Sequence, residues 1–99
     1  MSYKSKFATK EIEALFEAIL SLENIDACYR FFEDVCTINE IQDMAQRFEV
    51  AKMLNDKQPY QQIYEKTKAS TATISRVSKS LTYGADGYKL IFNKENDKK

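Results

Sequence analysis

The chain has 99 residues, of which 43% are hydrophobic and 30% charged, and its 15 basic side chains balance 15 acidic ones. This composition is typical of one globular domain and excludes the strongly basic balance of a protein that coats DNA without sequence preference. The chain has no His, which excludes His-based catalysis and His-ligated metal sites, and its two Gly and one Pro are too few for an all-β fold.

The cysteines and the lengths of the apolar runs indicate in which cell compartment the protein lies and whether it is an enzyme. Cys28 and Cys36 are the two cysteines of the chain, and both lie on apolar helical stripes with no His to activate them, so we expect core thiols. No apolar run approaches the roughly 18 residues that span a bilayer, and the first residues lack the apolar core of a secretion signal. We therefore expect a cytoplasmic protein without membrane attachment that is not an enzyme, with no catalytic residue, metal or cofactor.

Apolar residues recur at helical spacing through the first half of the chain. They predict one helix near residues 9–22 and a second helix that begins after an N-cap at Asn24. Thr37 and Glu40 have the spacing of a capping box, which opens a long helix over about 38–55. That helix is apolar on more than one side, as expected of a helix that is central or buried between subunits. Because so short a chain gains core from a partner, we expect a homodimer.

Two short helices, about 60–67 and 71–81, follow Pro59 and have the spacing of a helix-turn-helix. The turn has Lys68 where this motif normally has Gly, because the backbone there tends toward positive φ. Tyr64 likewise replaces the small residue expected where the two helices touch. We expect the core of the motif to be formed by Ile63, Thr67, Ala69, Ile74 and Val77.

The second helix of this motif is dense in small side chains that carry hydroxyl and methyl groups. Ser and Thr bond bases or phosphates, methyl groups contact thymine methyls, and Arg and Lys suit phosphates. Residues 47–79 carry seven basic and three acidic side chains, whereas residues 1–46 carry four basic and nine acidic ones. This asymmetry fits a helical scaffold that presents a polyanion-binding element. The residues predicted to contact DNA are Gln61, Ser70, Thr71, Ala72, Thr73, Ser75, Arg76 and Lys79.

The C-terminal part contains a break and a polar end. Both glycines lie in residues 83–87, and a short amphipathic stretch at 88–92 precedes the polar residues 93–99, for which we expect disorder. We therefore expect one helical domain over residues 1–92, with the helix-turn-helix at about 60–81.

The segment KASTATISRVSKSL at residues 68–81 resembles a characteristic sequence of the Trp repressor superfamily. The resemblance extends upstream through CTINE at 36–40 and the pair Gln46 and Arg47, and downstream into SLTYGADGY. Over residues 20–92 the chain is most similar to the YerC/YecD type of Trp-repressor-related protein. The resemblance implies an all-α, intertwined homodimer with a helix-turn-helix. It also implies a transcriptional regulator, acting as a repressor, that binds double-stranded DNA at an inverted-repeat operator.

The same resemblance implies a ligand site. In the Trp repressor, tryptophan lies between two Arg that match Arg47 and Arg76, and two further polar positions match Thr37 and Ser80. The residue after the second Arg is Gly in the Trp repressor and Val77 here, so we expect a filled pocket and no tryptophan corepressor. The sequence does not identify another small-molecule effector.

A second function class stays open at this point. A helical dimer that binds protein partners and has little or no DNA affinity is compatible with Lys68, Tyr64 and the zero net charge. The steep salt dependence of phosphate contacts would distinguish a DNA-binding protein from such an interaction module.

Overall fold

The computed structural model describes residues 3–97, which form six α-helices and no strand. The all-α fold predicted from the apolar spacing is therefore confirmed. No helix in the described part of the chain is long and apolar enough to cross a membrane. The helices are α1 (Lys10–Leu20), α2 (Ile25–Val35), α3 (Ile38–Asn55), α4 (Tyr60–Thr67), α5 (Thr71–Tyr83) and α6 (Gly87–Asp97).

Polar side chains fix where three of the helices begin. Thr9, Asn24 and Ser70 are the N-caps of α1, α2 and α5, and each side-chain oxygen accepts a hydrogen bond from the amide three residues later. These bonds satisfy backbone donors that have no partner inside the helix. The N-cap predicted at Asn24 is confirmed, and α3 begins at Ile38, directly after Thr37.

The chain divides into two compact units, the first ending at Ile38 and the second beginning at Asn39. Among the described residues of the first unit, which contains α1 and α2, none is buried. The expectation of one domain over residues 1–92 stays a prediction. The large apolar side chains exposed between α1 and the start of α3 are Leu15, Phe16, Leu20, Ile25, Tyr29, Val35 and Ile38.

The second unit has its own hydrophobic core. The C-terminal half of α3 contributes three buried residues, whereas Met44 in its N-terminal half is 42% exposed. The rings of Phe48, Tyr88 and Phe92 form a cluster with centroids 5.8–6.4 Å apart, which joins α6 to α3. The buried residues are Val50, Ala51, Met53, Ile63, Ala69, Ile74, Val77 and Phe92.

The C-terminal helices differ from the prediction at two points. Helix α5 continues to Tyr83 and ends at Gly84, where a Cβ atom would overlap the carbonyl oxygen of Ser80. Helix α6 continues to Asp97, so residues 93–97 are helical where the sequence predicted a disordered tail. The buried Phe92 holds this helix in the core, and no Gly or Pro follows in 93–97 to end it. Residues 98–99 of the predicted tail lie outside the described residues.

Candidate nucleic-acid interface

Helices α4 and α5 form the predicted helix-turn-helix around an apolar core. Ile63 from α4, Ala69 from the turn and Ile74 and Val77 from α5 are each at most 2% exposed. These residues belong to one cluster with the buried side chains of α3. The predicted inner side of the motif is therefore confirmed at these four positions, and the opposite side of α5 is left to solvent.

The turn between α4 and α5 has the unusual backbone that the sequence predicted. Lys68 has φ 63° and ψ 15°, the left-handed conformation that costs a non-Gly residue about 1 kcal/mol. Its ammonium lies 5.6 Å from the centroid of the Tyr64 ring, a cation–π contact that offsets part of this cost. Tyr64, which stands where the motif normally has a small residue, is 53% exposed, so much of its ring faces solvent and the lysine side chain.

Hydrogen bonds from Thr67 and Gln46 hold the same turn. The Thr67 hydroxyl donates to the carbonyl oxygen of Ile63 at 2.7 Å and accepts from the amide of Ala69 at 3.1 Å. The half-buried Gln46 of α3 donates through Nε2 to the carbonyl oxygen of Thr67 at 2.9 Å. The turn is thereby bonded to the long helix as well as to α4.

The outer face of α5 carries most of the predicted DNA-contacting residues. Thr71, Ala72, Arg76 and Lys79 are exposed. Ser75 and Thr73 are half-buried, and the hydroxyl of the N-cap residue Ser70 lies 3.1 Å from that of Thr73. Gln61 is exposed near the start of α4. The structure thus brings the eight residues onto α4, α5 and the residue before α5, while their contact with DNA stays a prediction.

Two basic side chains of α5 are unneutralised within the protomer. In the described part of the chain, neither Arg76 nor Lys79 forms an ion pair. Lys66 of α4 differs, because Glu49 of α3 lies 3.4 Å from its ammonium and 3.9 Å from that of Lys52. The face of α5 therefore offers two positive charges to an external anion.

Four residues match the ligand site of the Trp repressor, and that they form one site in this protein stays a prediction. Arg47 on α3 and Arg76 and Ser80 on α5 are exposed, and Arg47 has no ion-pair partner among residues 3–97. Thr37 directly precedes α3 and belongs to the first unit. Val77 is 2% exposed and belongs to the hydrophobic core, while the filled pocket beside Arg76 stays a prediction.

Ser80 also lines a groove that the sequence did not predict. The groove has a volume of about 390 Å³, and the aromatic rings of Phe48 and Tyr88 contribute to its wall. Its remaining lining residues are Gly84, Ala85, Gly87 and Ile91.

Gln46 and the ring of Tyr64 both contact the turn without belonging to the core of the motif, and sequence reasoning predicted neither contact. Gln46 was noted as part of the family resemblance, but a polar residue in a long helix gives no signal of a hydrogen bond to a residue 21 positions later. The spacing of Tyr64 and Lys68 by four residues was the available signal for their contact, because Lys68 directly follows α4 and lies about one helical turn after Tyr64.

Known proteins and structures resemble the chain over nearly its whole length. YerC of Bacillus subtilis (strain 168), an uncharacterized protein, is 53% identical over 89 residues, covering 90% of this chain and 86% of YerC. The crystal structure of a TrpR-like protein from Eubacterium eligens ATCC 27750 superposes with a TM-score of 0.89 at 59% identity, covering 92% of this chain and 94% of that one. A candidate Trp repressor from Staphylococcus aureus gives a TM-score of 0.87 at 48% identity, with coverages of 92% and 91%. Because the model of the Trp repressor protein family also matches residues 10–96, the chain belongs to that family.

Proposed function

We propose that the protein is a sequence-specific DNA-binding transcriptional regulator that acts as a homodimer. The observation that carries this proposal is the two-sided character of α5. Ile74 and Val77 are buried on its inner side, while Thr71, Ala72, Arg76 and Lys79 are exposed. A recognition helix needs such an anchored inner face and a free outer face to enter the major groove.

The outer face of α5 divides into a part suited to bases and a part suited to phosphates. Thr71, Ala72 and Ser75 have short side chains, which permit close approach to base edges and thymine methyls. Arg76 and Lys79 follow toward the C-terminal end, where their unneutralised charges suit the DNA backbone. Gln61, Ser70 and Thr73 complete the proposed surface, and the Ser70 hydroxyl also holds the start of α5 by accepting the amide of Thr73.

The apolar faces of α1 and α2 support the homodimer. Phe16 is 56% exposed and Tyr29 is 65% exposed, although both belong to amphipathic stripes. Monomeric proteins rarely expose large contiguous apolar surfaces, because covering them with another chain is favourable. In a two-fold dimer, two recognition helices would contact inverted half-sites about 34 Å apart, one turn of DNA.

The regulator we propose is a cytoplasmic repressor that acts by occupying its operator and catalyses no reaction. We do not assign tryptophan as corepressor, because Val77 fills the position of the glycine. Arg47, Arg76 and Ser80 of the second unit are the side chains through which a carboxylate-bearing effector would bind, and Thr37 is the fourth position that the resemblance matches to the ligand site.

Selection of duplexes from a randomised library by the purified protein tests the proposal. We expect one preferred inverted repeat, bound with an affinity that falls steeply as salt concentration rises. Lys79→Ala should weaken binding to all duplexes alike and reduce the slope of log K against log salt by about 1. Recovery of no preferred sequence, together with salt-independent or undetectable binding, would favour the protein–protein interaction module instead.

A further inference from the structure

The end of α4 leaves a backbone carbonyl that α4 itself cannot satisfy. Thr67 is the last residue of α4, and the next residue, Lys68, has a left-handed backbone that ends the helix. A helix has no internal donors for the carbonyl groups of its last turn, so those groups need donors from elsewhere. The Gln46 side chain from α3 supplies one such donor, at 2.9 Å from the Thr67 oxygen.

The geometry of this turn determines how α5 projects from the protein. Residues 68–70 are all that separate α4 from α5, so a small rotation at Thr67 or Lys68 changes the direction of α5. The inner face of α5 is held by apolar packing, which is non-directional. The hydrogen bond from Gln46 is directional and links the turn to a third helix, α3.

We infer that Gln46 is a positioning residue for α5: its amide fixes the turn after Thr67 and thereby the angle at which α5 meets DNA. This inference rests on the proposed function for its effect on DNA affinity. Gln46 acts through the backbone of the turn, and its half-buried side chain is not part of the outer face of α5. Its loss should therefore weaken DNA binding without changing which sequence is preferred.

The test compares Gln46→Leu and the isosteric Gln46→Glu with a matched control, Gln42→Leu. Gln42 is exposed one turn earlier on the same helix. The first readout is amide hydrogen exchange in the unliganded protein. We expect exchange at Lys68 and Ala69 to become about three- to tenfold faster in both Gln46 variants, the size expected for one hydrogen bond. The amides of Ile74 and Val77 in the core should be unchanged, whereas general destabilisation would accelerate them as well.

The second readout is affinity for the duplex that the wild-type protein selects from the randomised library. We expect both Gln46 variants to bind it about three- to tenfold more weakly, with the same base preference, and Gln42→Leu to match wild type. Turn amides that exchange as in Gln42→Leu would overturn the inference, as would faster exchange without loss of affinity. A wild-type protein that selects no duplex would refute the proposed function, while the exchange readout would still decide whether Gln46 holds the turn.

Discussion

The two units of the chain have similar helical patterning and very different burial. Among the described residues of the first unit none is buried, and Phe16, Leu20 and Tyr29 are more than half exposed. In the second unit, eight residues from α3, α4, α5, α6 and the turn form one core. Both units nevertheless show the three- and four-residue spacing of amphipathic helices.

The difference teaches that apolar spacing predicts a helix and its inner face but not the surface that covers it. In α5 the covering surface comes from α3 and α4 of the same unit, and Ile74 and Val77 are buried. In α1 the stripe of Leu15 and Phe16 stays exposed. We therefore expect folding of the first unit to depend on a second subunit. In the second unit, the helix-turn-helix is packed against a core formed by the same unit.

The largest expected effect comes from charging the exposed apolar face of α1. Phe16→Glu should abolish folded dimer, because a carboxylate would be buried without a partner at the proposed interface. Light scattering and circular dichroism would show loss of the dimer together with loss of helix. Glu13→Gln on the same helix is the control and should leave both unchanged. A folded monomer from either the wild-type or the Phe16→Glu chain would contradict the dependence of the first unit on a partner.

A large effect confined to function is expected on the outer face of α5. Thr71→Glu should reduce affinity for the selected duplex by at least about tenfold, since it removes a base contact worth about 1–3 kcal/mol and adds a charge that phosphates repel. The protein should remain folded, because Thr71 is exposed.

Thr82→Glu introduces the same side chain about 16 Å further along α5 and serves as the control. Gel-shift titrations of both variants test the orientation of the helix. Equal affinities for the two variants would show that the N-terminal end of α5 is not the end that contacts bases.

Much of the fold could be predicted because local chemistry determines it. Pro59 separates α3 from α4, Asn24 caps α2, and the Ile74 and Val77 spacing identifies the inner side of α5. The structure departs from the prediction where tertiary contacts decide the outcome. Phe92 packs into the core and extends α6 past the residue at which polar composition predicted disorder.

The residues on the outer face of α5 could be predicted from the sequence, but the tertiary contacts that hold the turn before α5 could not. The hydroxyl-rich face of α5 follows from helical periodicity alone, once Ile74 and Val77 are assigned to the inner side. The bond from Gln46 to Thr67 joins residues 21 positions apart, and no local pattern encodes such a contact. The 53% exposure of Tyr64 could not be predicted either, since helix spacing does not determine how much of a large ring the neighbouring residues cover.

A smaller effect, on the free energy of unfolding, is expected at the turn between α4 and α5. Substitutions of Lys68 test whether its left-handed backbone is strained. Lys68→Ala keeps the left-handed backbone and removes the contact with Tyr64, so it should lower the free energy of unfolding by about 0.5–1 kcal/mol. Lys68→Gly loses the same contact but relieves about 1 kcal/mol of strain, so its stability should equal or exceed that of wild type. Urea denaturation gives both values. A Gly variant less stable than the Ala variant would show that the backbone at Lys68 is not strained.

The smallest expected effect is that of free tryptophan, because the second unit should orient α5 without a ligand. Val77 is 2% exposed and shares its core with Ile63 and Ile74, so apolar packing occupies the position where the Trp repressor has glycine. A ligand shifts an equilibrium only by its differential affinity for the two states, and a filled site offers tryptophan no such difference. Tryptophan should therefore change affinity for the selected duplex by less than about tenfold, or roughly 1.4 kcal/mol.

Calorimetric titration of tryptophan, paired with DNA-binding curves in its presence, tests this prediction. Val77→Gly is the informative variant, because it opens space beside Arg76 and leaves Arg47 and Ser80 in place. We expect tryptophan to bind this variant more tightly than wild type, since the two arginines have no carboxylate partners in the described part of the protomer. The variant should also lose stability by about 2 kcal/mol or more, as the cavity left by a valine and the added backbone freedom both favour unfolding. Micromolar tryptophan binding to the wild-type dimer with a large gain in operator affinity would show that Val77 does not fill the site.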